Sequence, residues 1–425
     1  MRIGSIGAGA SGLMAAIAAA NNGGTVTLLE KNERVGQKLL VTGNGKCNLS
    51  NLEFNMSKYY CDDKEKLHQI FGVYSLWDML TFFESRGMMI RSKNGYLYPY
   101  SEQASTVLDV FRRSLNHDLI DIVTNCDIIG AEYHSKTHTF MVIGKERAWE
   151  FDKLIIACGG PASAKKNQGM TGFELAEKFG HKVKKVVPAL VQLRAFDESF
   201  FKIAAGVRFQ AKATLVADGE VCGEEEGEVQ FTDYGLSGIP IFQLSREASY
   251  ALEEGKKVCV MLNLFPDQEQ RAFEYQMRLR YDFYVNATME EFLLGTVNKK
   301  LNQAMMKAAG LKPSDRISDL GFTRVWDFIM SYRKINIHIK AANGMENAQV
   351  CAGGVDFAEI STEMESQKCP GLYFAGEVID VDGKCGGYNL QWAWTSGYIA
   401  GRNAAGNSTR ELVSDMRKEE ENAEN

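Results

Sequence analysis

Residues 2–30, RIGSIGAGASGLMAAIAAANNGGTVTLLE, read as a strand, a glycine turn, a helix and a second strand. The apolar run Arg2–Ile6 ends at Gly7-Ala8-Gly9-Ala10-Ser11-Gly12. Small, helix-favouring residues fill 13–20, Asn21-Asn22-Gly23-Gly24 stops the helix, and Thr25 to Leu29 leads to Glu30. A glycine triplet of the form G-x-G-x-x-G is weak evidence alone. Between a strand and a helix, with an acidic residue about twenty positions on, it is the signature of a dinucleotide-binding βαβ unit. Gly7 permits the tight turn, Gly9 lets a pyrophosphate approach the backbone, and Gly12 lets the helix pack close to the strand. The helix N-terminus then faces the phosphates. Glu30, at the strand end, is placed to accept from the adenosine ribose hydroxyls. A secretory signal competes for the apolar stretch 13–20, but interrupting glycines and the strand that follows argue against it.

Working outward, 425 residues exceed one ordinary core, so two or three domains are expected. A hydrophobic content of 45% with 24% charged residues describes a globular protein in water. The net charge of −6 argues against general nucleic-acid affinity, and no apolar run of about eighteen residues suggests a membrane span. The nine cysteines are scattered and never in C-x-x-C spacing, which fits reduced thiols and a cytoplasmic location. His134 and His138 stand four apart, a metal-ligand spacing on a helix; they flank Ser135-Lys136-Thr137 between two alternating runs, so a hairpin turn is the reading and no metal is expected.

Residues 31–51, KNERVGQKLLVTGNGKCNLSN, lack the periodicity of a regular element, and Gly36, Gly43 and Gly45 mark a loop with close backbone approach. Arg34, Lys38 and Lys46 put positive charge where a pyrophosphate or a reduced, anionic flavin would lie. Helical spacing covers 64–92 and 105–116. The stretches 119–129, 131–133 and 139–143 alternate like a meander, and the buried strand 151–157 closes at Cys158-Gly159-Gly160-Pro161 before a helix near 173–179. From about residue 188 short strands with turn signals take over (188–194, 211–217, 228–231, 257–265, 335–339), interrupted by a charged, methionine-rich helical block, 268–333. After Asn347 the glycine-rich texture returns in VCAGGV and GLYFAGE, and GKCGGYNL (383–390) opens a helix running to about Ala405.

The expected architecture is α/β. A discontinuous Rossmann-like FAD-binding domain (1–187 and 345–410) holds an inserted β-barrel-like domain (188–265 and 321–344), which carries a small helical subdomain (266–320). A polar tail, 411–425, follows. FAD is favoured over NAD as the held nucleotide, because there is one glycine fingerprint and the chain returns at its C-terminal end with a Gly-Glu pair and a glycine-opened helix. Glu377 would then bind ribitol hydroxyls, and N–H groups near Gly387, Tyr388, Asn389 and Leu390 would stabilise negative charge at the flavin N1/C2 carbonyl edge.

At GAGASGLMAA, KLLVTGNGKCNLSN, FTDYGLSG (231–238) and AGEVIDVDGKCGGYNLQWAWTSGYIAG (375–401) the chain resembles the bacterial BaiN/YhiN-like flavoproteins, a family that includes a bile-acid reductase and an aminoacetone oxidase. The resemblance spans nearly the whole chain and departs at 168–173, QGMTGF, which puts contacts from that segment in doubt. It implies an FAD domain, a flattened barrel and a helical insert, with cofactor contacts at Ser11, Glu30, Gln37, Lys38, Gly43, Ile128, Glu377, Asn389 and Leu390. Ala10, Lys31, Asn44 and Gly376 beside them complete the expected cofactor set. The resemblance and the flavin's hydride chemistry imply an NAD(P)H-fuelled reductase of an activated C=C bond in a small molecule such as a steroid-like or bile-acid enone. An oxygen-using amine oxidase and a non-catalytic redox sensor are the alternatives. Lys46 is the expected catalytic cation, for a reduced flavin or an enolate oxygen. Cys47 is a weaker candidate proton donor, since an inert buried cysteine is the commoner case.

Overall fold

The computed structural model describes residues 1–163 and 171–406. The expected tail 411–425 and residues 168–170 of the departing segment lie outside them. The described chain divides into two compact units, one built from Met1–Val186 with the segment from Val350 onward, the other from Val187–Gln349.

In the first unit a parallel five-stranded sheet runs in the order Leu372–Phe374, Lys153–Ile156, Arg2–Ile6, Thr25–Leu29, Ile120–Val123. Arg2–Ile6 is central, and the chain leaves it to opposite sides, which makes its C-terminal end the switch point where such sheets bind ligands. The turn helix Ala10–Asn21 starts there. Its residues Ser11 through Ala20 are all buried, because it is covered on one side by the sheet and on another by the closing helix, Tyr388–Ala404. The two helices touch through glycine: a Cβ on Gly397 would lie 2.4 Å from the Ser11 carbonyl oxygen, and one on Gly401 2.1 Å from that of Ala15. Both pairs step by four residues in the same sense, so the helices run parallel.

The periodicity of 64–92 resolves into two helices, Lys64–Val73 and Leu76–Glu84, separated where Ser75 and Asp78 form a capping box. Of the expected meander, Ile128–His134 and Thr139–Gly144 pair antiparallel, with Ala148–Phe151 as a third strand that was not expected, and the hairpin turn between the first two starts after His134 and includes His138. The meander's first member is corrected: Ile120–Val123 pairs in parallel with Thr25–Leu29 at the sheet edge. Alternation marks a half-covered strand and does not name its partner.

The second unit is a closed six-stranded antiparallel barrel in the order Leu193–Ala195, Gly235–Gly238, Glu220–Phe231, Arg208–Ala217, Val258–Asn263, Ile335–Ala342. Inward positions such as Ala211, Ala213 and Leu215 are fully buried. Helix Ile239–Glu253 packs on the barrel and was not anticipated from the sequence. The residues Met289, Phe292, Leu293, Leu301 and Met305 join one hydrophobic core with the barrel's interior, so the helical block and barrel share a core. Phe283, by contrast, is 80% exposed.

Candidate functional site

The glycine turn has the geometry its residues require. Gly7 adopts φ +100°, and a Cβ there would meet the Ala157 carbonyl oxygen at 2.5 Å; one on Gly12 would lie 1.8 Å from the Gly7 carbonyl oxygen. Gly9 differs, because a Cβ there meets nothing within 4 Å. It is the N-cap of a helix with no side-chain cap and no acidic residue in its first turn, so the positive end of the helix dipole there is met by no side-chain cap or acid of that turn. Glu30 is buried; its carboxylate accepts from Ala8 N at 2.8 Å, and from Asn32 N at 2.9 Å and Asn32 Nδ2 at 2.6 Å. Lys31 beyond it is exposed. Cys126 N donates to the Glu30 carbonyl at 2.9 Å, which carries the chain toward buried Ile128 on the same side of the sheet.

The C-terminal return reaches the same turn. Ser11 Oγ donates to Ala375 O at 3.2 Å, and Gly376, at φ +79°, sits against the Ser11 side chain where a Cβ would be 2.5 Å from Oγ. Glu377 follows with a carboxylate that gathers three donors: Cys351 N at 2.9 Å, Gly160 N at 3.2 Å and Lys38 Nζ at 2.7 Å. Lys38 opens a 3-10 stretch, Lys38–Gly45, kinked at Gly43 and Asn44, both in the left-handed region; Gln37 just before it is exposed.

The closing helix begins at Gly387, φ +94°, where a Cβ would be 2.7 Å from the Ser50 backbone. No side chain caps it and its first turn carries no acid. Tyr388 is buried with its hydroxyl on Glu53 O at 3.0 Å, and the Asn389 amide is tied to Gly383 N and O at 2.8 and 2.7 Å. What residues 388–390 offer a ligand is therefore their N–H groups. Since Gly397 lies opposite Ser11, the closing helix extends about two and a half turns, roughly 13 Å, beyond the start of the turn helix. Two uncapped helix N-termini thus stand offset along one surface, a donor set suited to a long dinucleotide.

Neither of the two expected catalytic residues belongs to this donor set. Lys46 Nζ is paired with Glu102 Oε2 at 2.8 Å, and Arg91 holds the other oxygen of Glu102. Cys47 is fully buried, and burial pushes its thiol up to about 12, with the contact to Thr42 opposing. Sequence reasoning missed the groups that surround Lys46: Lys93, Asn94, Tyr96, Tyr98 and Glu102 line a cavity of about 170 Å³ with it. The alternation Tyr96-Leu97-Tyr98-Pro99, both tyrosines on one strand face, was the available signal.

Residues 2–403 match the family described as the HI0933-like protein Rossmann domain. The chain belongs to that family. It is 40% identical over 95% of its length, and 99% of the relative's, to a 3-dehydro-bile acid delta(4,6)-reductase of Clostridium scindens. It is 27% identical, over 94% of its length and 96% of the relative's, to a ribosomal RNA dihydrouridine synthase of Escherichia coli. Among solved structures, a 3-ketosteroid delta1-dehydrogenase of Sterolibacterium denitrificans superposes with a TM-score of 0.50 at 11% identity, covering 96% of this chain and 99% of that one, a likeness of fold. The chain is an oxidoreductase on a Rossmann-like FAD-binding fold.

Proposed function

We propose that the protein holds FAD non-covalently and reduces a carbon–carbon double bond conjugated to a carbonyl in a ring-bearing small molecule, with NAD(P)H as electron donor. The observation that carries this reading is the end-to-end 40% identity to a bile-acid reductase whose name describes reduction of ring double bonds in a 3-oxo compound. The offset pair of uncapped helix N-termini supports the cofactor. FAD, when bound, supplies acceptance and delivery of a hydride. Gly9 and the N–H groups of the turn helix would hold its pyrophosphate, Glu30 its ribose, and the N–H groups of Tyr388 to Leu390 the negative charge of its reduced ring. Lys46 would offer a cation to the substrate oxygen as that oxygen gains charge.

The dihydrouridine synthase relatives favour a second reading, uridine in ribosomal RNA. Uridine's ring double bond is also conjugated to a carbonyl, so the chemistry is shared and only the substrate differs. The lower identity and the net charge of −6 weigh against a polyanion. Anaerobic stopped-flow tests both. The expected result is bleaching of the flavin band by NADH or NADPH, followed by reoxidation with a 3-oxo-4-ene steroid acid. Reoxidation by an unmodified ribosomal RNA transcript alone, with a two-dalton gain at one uridine, would transfer the assignment to RNA.

A further inference from the structure

The cavity lined by Lys46, Lys93, Asn94, Tyr96, Tyr98 and Glu102 has a lining the fold does not use. On the hairpin Ile90–Lys93 and Tyr96–Pro99, Leu97 and Pro99 turn into the core while Tyr96 and Tyr98 line the cavity. The two tyrosines are half-buried and their hydroxyls make no hydrogen bond among the described residues, while Lys93 and Asn94 at the rim are exposed. Glu102 serves two cations, Lys46 and Arg91. Glu53 lies beside the turn at Gly95 and, after burial, Cys385 and Tyr98, raises the Tyr96 pKa, so with Lys93 three cations stand against two carboxylates. Arg91 Nε is buried and also unpartnered. Asn94 and Gly95 form the two-residue turn of this hairpin, at φ +52° and +84°, a conformation that an Asn-Gly pair adopts readily. The cavity adjoins the turn that opens the closing helix, since a Cβ on Gly386 would lie 3.0 Å from the Tyr96 ring.

We infer that this cavity is an anion anchor for a small-molecule ligand of the enzyme, seating a carboxylate or phosphate group between Lys93, Tyr96 and Tyr98. Two half-buried hydroxyl donors beside the Lys93 ammonium, with cations in excess of carboxylates, select an anion over a neutral carbonyl. About 170 Å³ holds the charged end of a molecule and not a whole drug-sized ligand. Glu102, a lining carboxylate, repels an incoming anion, and that opposition gives the inference its sign. The inference rests on the reading above that the reaction partners are small molecules. Two such partners carry the required chemistry: an acidic substrate through its carboxylate, and the nicotinamide donor through a phosphate.

The test uses the FAD-loaded full chain and the shift of the flavin absorption band as a binding readout. Cholate, its methyl ester, NADP+ and inorganic phosphate are titrated into the parent and into the Lys93→Gln, Tyr98→Phe and Glu102→Gln variants, each matched for FAD content. Lys93→Gln is expected to weaken anion binding at least tenfold and Tyr98→Phe about threefold. Glu102→Gln should tighten it about threefold, because a repelling carboxylate is gone. Lys93 dependence for cholate but not for its methyl ester identifies the substrate's carboxylate; dependence for NADP+ alone identifies the donor's phosphate. The inference is overturned if Lys93→Gln leaves every Kd within twofold, or if Glu102→Gln weakens binding as Lys93→Gln does, the mark of a structural role. Lys93-dependent phosphate binding in a protein that reduces no conjugated steroid would overturn the functional reading and keep the anchor.

Discussion

A methyl group at Gly9 would touch nothing in the protein, whereas at Gly12 it would strike the Gly7 carbonyl oxygen. That contrast separates a ligand's requirement from the fold's. Gly9→Ala should leave the Tm of the flavin-free protein unchanged and weaken FAD binding at least tenfold, about 1.4 kcal/mol; fluorescence titration of flavin-free protein reads this, and unchanged affinity would remove the pyrophosphate from the turn. Lys46→Met is expected to keep FAD and slow turnover at least tenfold, while Cys47→Ser, at a sealed thiol, should alter stability more than rate; equal kcat in Lys46→Met and the parent would reduce that loop to holding the cofactor. His181 is a residue the proposed chemistry does not use. Its ring is enclosed, with Nδ1 at 3.0 Å from Glu359 Oε2 and Nε2 at 2.7 Å from Ser366 Oγ. Burial lowers its pKa below the ordinary 6.5, with Lys368 adding to the effect and Glu359 opposing it. Below pH 6.5 the unfolded chain takes up a proton that the folded one refuses, so this stability is present above 6.5 and is lost as pH falls toward the folded pKa. Thermal melts from pH 7.5 to 5.5 should show Tm falling, with a shallower slope in His181→Gln; identical slopes would refute the assignment.

Between the turn helix and the closing helix, close approach depends on bare backbone at Gly397 and Gly401. Gly397→Ala places a Cβ 2.4 Å from the Ser11 carbonyl oxygen, so the helices must part. Overpacking of this kind costs about 1–3 kcal/mol. The expected outcome is a Tm lower by a few degrees together with weaker FAD binding, because Ser11 and Gly376 meet at the same place; a variant with parental Tm would show that the helices part freely. The elements that the sequence made legible are those whose chemistry is local. The glycine turn is one, since its positive φ and missing Cβ are demanded within a few residues, and the Ser75 capping box is another. Partnership across distance was not legible: alternation at 120–123 could not say that its neighbour is a parallel strand, and nothing near Lys46 announced that Glu102 would neutralise it. The burial of Cys47 follows from tertiary packing around a kinked loop, which no periodicity encodes.

At the scale of the molecule, the second unit has the form of an insertion whose ends close on themselves. Inside it, Asn343 N donates to Gln192 O at 2.9 Å and Gln349 N to Leu190 O at 3.4 Å, so the chain enters and leaves side by side. The first unit shows the same closure at its own edges: Asp356 N donates to Lys182 O at 2.9 Å, and Gly353 lies so near Lys185 that a Cβ would be 2.1 Å from its carbonyl oxygen. A unit with adjacent termini, a closed barrel without open edges and one continuous core meets the requirements of an independently folding domain. We therefore expect residues 187–349 to fold alone, unfolding cooperatively in thermal and urea melts that coincide by circular dichroism and by fluorescence. Joining residue 186 to residue 350 through a short Gly-Ser linker should yield a yellow protein that keeps FAD. An isolated barrel that melts without cooperativity, or a joined first unit that cannot be reconstituted with FAD, would mean that each unit draws its stability from the other and that the domain division fails.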